Sequence, residues 1–181
     1  MPYRPVFESS VGRYLGADLP RNPLAEIHLD DSGRASMPDQ SVDIVLSSQV
    51  LEHVPSPADY LREASRLLIP DGTLLLSTHG YWRYHPDPTD YWRWTRDGLL
   101  RQLEAAGFEV QSVKGVMNLA SSGLQLFQDG VSAALPRLLR PPFHYCMNRS
   151  MALVDHLGSD ASRDREAGVF IVRALKRGDA K

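Results

Sequence analysis

A single cysteine, Cys146, stands among 181 residues. No intramolecular disulfide can therefore close, and no zinc site built on paired thiolates is available. A reducing, cytoplasmic setting is expected. Long hydrophobic runs are also missing: nothing approaches the roughly 20 apolar residues of a membrane span, and the opening Met-Pro-Tyr-Arg-Pro lacks the apolar core of a signal peptide. No membrane partner is expected. An excess of one charge is absent as well, since 20 basic and 22 acidic residues leave a formal net charge of -2. That balance provides no basic footprint for a phosphate backbone, so no nucleic-acid partner is expected either. The chain shows no internal repeat and no low-complexity segment.

What remains is a composition able to bury one core, 43% hydrophobic and 23% charged. One domain over 1–181 is expected. Tyr14 to Leu19 reads as a short buried strand ending on an acid, and Ala25 to Asp30 as a second, with a loop rich in Asp, Ser, Gly and Pro over Asp31 to Gln40. Val42 to Ser47, apolar and rich in β-branched residues, reads as a strand. Ser56 caps a helix with Pro57 at its first position, and Tyr60, Leu61, Ala64, Leu67 and Leu68 recur at helical spacing. Pro70-Asp71-Gly72 turns into a strand over Thr73 to Thr78.

Thr95 opens a helix with Leu99, Leu100, Leu103 and Ala106 on one face, stopped by Gly107, and Glu109 to Val116 follows as a strand. Two helices interrupted by Pro136, Pro141 and Pro142 are expected over 118–157, as a cap or an interface through which a homodimer could form. A polar stretch, Gly158 to Gly168, precedes a last strand, Val169 to Leu175, and a frayed tail from Lys176. Alternating strands and helices imply a mostly parallel sheet covered on both faces, with ligand-binding loops at the strand C-termini.

Four short elements lie in register: Tyr14-Leu-Gly-Ala-Asp18, Met37-Pro-Asp-Gln-Ser-Val-Asp43, Leu51-Glu-His-Val54 and Pro70-Asp-Gly72. In that order and spacing, from Tyr3 to about Val116, the chain resembles a class I S-adenosylmethionine (SAM)-dependent methyltransferase of the type 11 group. The resemblance implies an α/β, Rossmann-like, mostly parallel sheet with helices on both faces and a C-terminal helical insertion before the last strand. It also implies SAM as cofactor, with in-line methyl transfer to an oxygen, nitrogen or carbon of a small-molecule or saccharide-like acceptor.

Under that resemblance Asp18 and Leu19 close the second strand, where a carboxylate can accept both ribose hydroxyls; a solvated acid opening a turn is the plain alternative. Asp30 and Arg34 occupy the adenine-contacting loop, although their spacing departs from the commoner pattern. Ser47, Gln49 and Val50 fall where the methionine part of the cofactor passes, though Gln49 could instead satisfy a neighbouring backbone.

The segment from Ser77 to Trp94 concentrates histidines, acids and aromatics directly after a strand. His79 or His85 could take a proton from an acceptor, with Asp90 beside them and the aromatics enclosing it. The plain alternative is that Trp82, Trp92 and Trp94 pack the loop onto the sheet while His85 and Asp90 tie its backbone. His79, His85, Asp87 and Asp90 are permissible metal ligands by type, but no His-Glu-x-x-His spacing accompanies them, and no metal is expected. His53 beside Glu52 reads as local structure.

The resemblance lacks one part. No Gly-x-Gly precedes Asp18, and the family's central first strand has no counterpart, so an N-terminally truncated fold is expected, with the true start upstream of Met1. Two inner strands would then expose unpaired ladders unless they close on each other or borrow a strand. A non-catalytic methyltransferase-like binding or scaffold domain that has lost the SAM glycine loop is the alternative function.

Overall fold

Two pieces of sheet carry the chain. The structure is a computed structural model and describes residues 3–7 and 9–178; of the expected tail, 179–181 lie outside the described residues. After a short helix α1 (Arg4–Phe7), β1 (Ala17–Asp18) pairs in parallel with β2 (Ile27–His28). The larger sheet contains β3 (Val42–Ser48), β4 (Leu68–His79), β5 (Phe108–Asn118) and β6 (Ala167–Lys176) in the order β3-β4-β6-β5. β3 and β4 are parallel, while β6 runs antiparallel to both β4 and β5. Three of the four strands thus share one direction, and their C-terminal ends lie on one edge.

β1 and β3 do not pair, so the expected alternatives resolve as two separate sheets with β3 at an edge. This changes the burial expected for the first strand. Ala17 and Asp18 are exposed rather than buried, because no larger sheet lies beside them. On β3, Ile44 is 50% exposed at the edge.

Helix α2 (Pro57–Leu67) links β3 to β4, and α3 (Arg96–Ala105) links β4 to β5. Ser56 caps α2, its Oγ accepting from Asp59 N at 3.4 Å; Thr95 caps α3, its Oγ1 accepting from Gly98 N at 3.2 Å. Gly107 ends the second helix in the left-handed region at φ 87°.

Both crossovers step the same way along the sheet, and right-handed connection therefore puts α2 and α3 on the same face. That face holds the core: Leu61 and Ala64 from α2, Leu99, Leu103 and Ala106 from α3, and Leu74, Leu76, Phe170, Val172 and Ala174 from the strands. Each fully buried leucine contributes on the order of 2 kcal/mol. The opposite face, bearing Ile44 and Ile171, is half open.

α4 (Leu119–Ala134) and α5 (Arg140–Leu157) form the expected pair of helices. Asn118 joins their ends: its Oδ1 caps Ser121 N at 2.9 Å, its Nδ2 donates to Val154 O at 2.8 Å, and its backbone N donates to Asp155 Oδ1 at 2.7 Å. Pro141 and Pro142 do not interrupt α5. They occupy its first turn, where a missing N–H leaves no helical bond unmade. α4 buries Ser121, Ser122 and Gln128, whereas Leu119, Leu126 and Phe127 are exposed.

A sixth helix, α6 (Asp160–Arg165), stands within the polar stretch Gly158 to Gly168, for which no element is expected. It buries no residue, and so leaves no apolar period in the sequence; its Ser159 cap accepts from Ser162 N at 3.2 Å. Among the described residues no helix is long and apolar enough to cross a membrane.

Candidate active site

The strand pairing delivers chemistry to one place. Ser48 lies opposite Ser77 in the β3–β4 register, so the residues just beyond these strands emerge side by side. Gln49 continues the pairing, donating its backbone N to Ser77 O at 2.9 Å and its Nε2 to Ser77 Oγ at 3.1 Å. It does so at φ 55°, a left-handed conformation costly for a non-glycine residue, and its Oε1 is buried without a hydrogen-bond partner.

Glu52, three residues further on, is completely buried. Thr78 Oγ1 donates to Glu52 Oε2 at 2.8 Å. The other oxygen, Oε1, lies 3.1 Å from His79 Nδ1 and 4.0 Å from His53 Nε2. His79 is 5% exposed and stacks on Trp82, with ring centroids 4.9 Å apart and planes 7° from parallel. His85 completes the group edge-on, its centroid 6.0 Å from His79 and 5.7 Å from His53. Two histidines therefore flank one buried carboxyl group, with His85 edge-on to both. Burial, with the nearby charges of Arg93 and His85, pushes His79 down to about 4, so its ring is neutral near pH 7.

The loop from Gly80 to Trp94 is hung on the segment 52–54. Glu52 O accepts from Tyr91 N at 2.9 Å and from Trp92 N at 3.2 Å; His53 Nδ1 meets Thr89 O at 2.6 Å; Trp92 Nε1 donates to Val54 O at 2.9 Å. Asp90 clamps the loop from within. Its carboxylate takes Arg93 Nη1 at 2.5 Å, Arg93 Nη2 at 2.6 Å and His85 N at 2.7 Å, and the Arg93 pairing holds it below the ordinary carboxylate range. Arg93 Nε also donates to Trp82 O at 3.0 Å. Of the expected catalytic residues, His79 and His85 are thus brought together, while the carboxylate of Asp90 is engaged in holding the loop.

The expected cofactor residues divide into groups. Asp18 ends β1 with an exposed carboxylate that accepts from Leu19 N and from Asn22 Nδ2, each at 2.7 Å. The Leu19 side chain is half exposed. Asp30 folds its own loop: Oδ1 accepts from Ser32 N, Ser32 Oγ and Arg34 N at 2.9, 2.6 and 2.9 Å, and the Ser32 hydroxyl leads the lowering of its pKa. Arg34 is exposed. Ser47 points into the core face and accepts from Tyr60 OH at 2.8 Å, whereas Val50 is at the surface.

The residue that sequence reasoning passed over is Glu52. Its place in Leu51-Glu-His-Val54 was visible, but its burial depends on β4. Among the described residues no group of three or more His, Cys, Asp or Glu side chains is arranged to hold a metal ion.

A family model described as a methyltransferase domain matches residues 6–113, more than half of the chain. The chain belongs to this family, the class I SAM-dependent methyltransferases. A "Probable S-adenosylmethionine-dependent methyltransferase" of Mycolicibacterium smegmatis is 29% identical over 143 residues, covering 64% of this chain and 56% of that protein. The methyltransferase domain described here thus spans about half the length of this curated relative.

Two solved structures share the fold. An S-adenosylmethionine dependent methyltransferase from Mesorhizobium loti is 18% identical over 95% of this chain and 84% of its own, with a TM-score of 0.56. A Bacillus halodurans structure is 16% identical over 97% and 87%, with a TM-score of 0.58.

Proposed function

We propose that the protein transfers a methyl group from SAM to a small-molecule acceptor held between the β3 and β4 ends and the loop 80–94. The observation that carries this reading is the nearly buried His79, stacked on Trp82 and edge-on to His85 at the C-terminal edge of a methyltransferase fold.

The residues present fit the cofactor at two points. Asp18 offers a strand-end carboxylate for the ribose, with Leu19 next to it, and Gln49 presents a buried oxygen without a partner, in a strained backbone, toward the amino-acid end. Ser48 and Ser77, whose hydroxyls lie 3.2 Å apart, line the same strand ends, with Val50 beyond them. Asp30 and Arg34 would border the adenine. When bound, SAM supplies a methyl group already activated on a sulfonium.

The chain's own task is therefore to orient the acceptor and to remove its proton. His79 is the proton acceptor in this reading, and His85 lies within reach to relay or to bind the acceptor. Trp82 provides a flat apolar wall for the acceptor, and Asp90 keeps His85 and Arg93 in place. The helical pair over 118–157 caps this side of the domain, as Arg83 of the loop lies 3.8 Å from Asp129 of α4. The exposed leucines of that pair, Leu138 foremost at 86%, also suit pairing with a second copy.

Incubation with methyl-labelled SAM and a panel of hydroxyl, amine and saccharide acceptors tests the reading. Labelled product that disappears in His79→Gln supports it; turnover unchanged in that variant removes His79 from the reaction. Calorimetry with S-adenosylhomocysteine tests the cofactor side separately. Asp18→Ala should weaken binding at least about tenfold for a lost charge-assisted pair of hydrogen bonds, and unchanged affinity would remove Asp18 from the site.

A further inference from the structure

We propose that Glu52 is a positioning residue that fixes the tautomer of His79, leaving Nε2 as the nitrogen that accepts a proton; this rests on the reading of His79 as a base. The argument begins from an accounting of buried polar atoms. Glu52 Oε1 and His79 Nδ1 are both buried without a hydrogen-bond partner, and they face each other at 3.1 Å.

The ring is not turned fully into line, but a small rotation about its side-chain bonds makes one hydrogen bond that satisfies both atoms. Without it each would carry an unpaired desolvation cost of about 1 to 3 kcal/mol. As a carboxylate Glu52 can only accept at this oxygen, while its other oxygen accepts from the Thr78 hydroxyl. The proton between the two groups therefore belongs to Nδ1.

A neutral imidazole holding its proton on Nδ1 has its lone pair on Nε2, on the side of the ring away from Glu52. His53 does not compete for the proton, because its Nδ1 is engaged with Thr89 O and its Nε2 stands farther off, at 4.0 Å. The same residue holds the loop over the ring, since Glu52 O takes Tyr91 N and Trp92 N. One buried glutamate thus sets both the base and the wall around it. Sequence separation hides the arrangement, as 26 residues lie between the partners.

Long-range proton–nitrogen NMR on the 181-residue protein with labelled histidine reads the tautomer directly and needs no acceptor. The expected wild-type result is a protonated Nδ1 and an unprotonated Nε2 for His79 at pH 7. In Glu52→Gln the Thr78 hydroxyl retains the amide oxygen, the amide nitrogen turns to His79, and the tautomer inverts to protonated Nε2. The signal of His144, bonded to Ser132 at 2.7 Å on the helical pair, serves as the internal reference for folding.

A wild-type His79 protonated on Nε2 would overturn the proposal with no variant required. So would a Glu52→Gln protein with His144 unmoved and the His79 tautomer unchanged. If the tautomer inverts but turnover is unchanged in His79→Gln, the positioning role stands and the reading of His79 as catalytic base falls. Turnover lost in His79→Gln without inversion in Glu52→Gln gives the reverse.

Discussion

Acidification should destabilise this protein through His79 before its carboxylates titrate. The ring falls from an ordinary 6.5 to about 4, with burial the largest cause, so the unfolded chain binds the proton first as pH drops. Stability from this group is complete above about pH 6.5 and is lost progressively down to about 4. Between pH 7 and pH 5 the linkage amounts to about 2 kcal/mol, at about 1.4 kcal/mol per tenfold change. Residual hydration around the ring roughly halves this, to about 1 kcal/mol.

The groups facing the ring are Glu52, His53, His85, Asp90 and Arg93. Asp30, Asp39, Asp90 and Asp160 are also lowered, but from 3.8, which keeps their contribution below the tested window. Urea unfolding at pH 7 and pH 5 should show wild type losing about 1 kcal/mol more than His79→Gln. Equal losses in the two proteins, or a larger loss in the variant, would refute a neutral buried His79.

Arg66 ties the 35–39 loop to α2 through Met37 O at 2.9 Å, Ala35 O at 3.2 Å, Asp39 at 2.5 Å and Glu63 at 2.7 Å. Arg66→Met should lower unfolding stability by about 2 kcal/mol, and a denaturation midpoint within error of wild type would contradict that role. Gly80→Ala places a Cβ 2.2 Å from Ala167 O and should cost several kcal/mol or prevent folding; Gly130→Ala in α4 meets nothing within 4 Å and should gain about 0.5 to 1 kcal/mol from helix propensity. Both are read by thermal unfolding, and similar shifts for the two would show that the β4–β6 approach is looser than drawn. Asp90→Ala removes the carboxylate that holds Arg93 and His85 N and should speed proteolytic cleavage within 82–93 severalfold, measured by mass spectrometry of a timed digest; unchanged cleavage would mean the other anchors suffice.

The local elements were legible because their signals are local. Ser56-Pro57, Thr95 and Gly107 punctuate helices through bonds to residues three or four positions away, and the apolar period of Leu61, Ala64, Leu99 and Leu103 names the faces that meet the sheet. The family could be reached from four short elements in register, since each marks a strand end or turn. By contrast, α6 buries nothing and was invisible to periodicity, and the prolines of α5 looked like breakers because their place in a first turn depends on where the helix starts.

By itself, then, the sequence determined the order of the strands and of the helices other than α6, the caps of α2 and α3, the family, and the presence of His79 and His85 after a central strand. The tertiary structure decided which groups meet. Parallel pairing of Ser48 with Ser77 brings Glu52 under His79, the same-handed crossovers leave one face of the sheet half open, and the separation of β1 from β3 exposes Asp18. The physical reason is range. Capping and periodicity act over a few residues, whereas the burial of a carboxyl group and the tautomer of a ring depend on strands that meet across tens of residues.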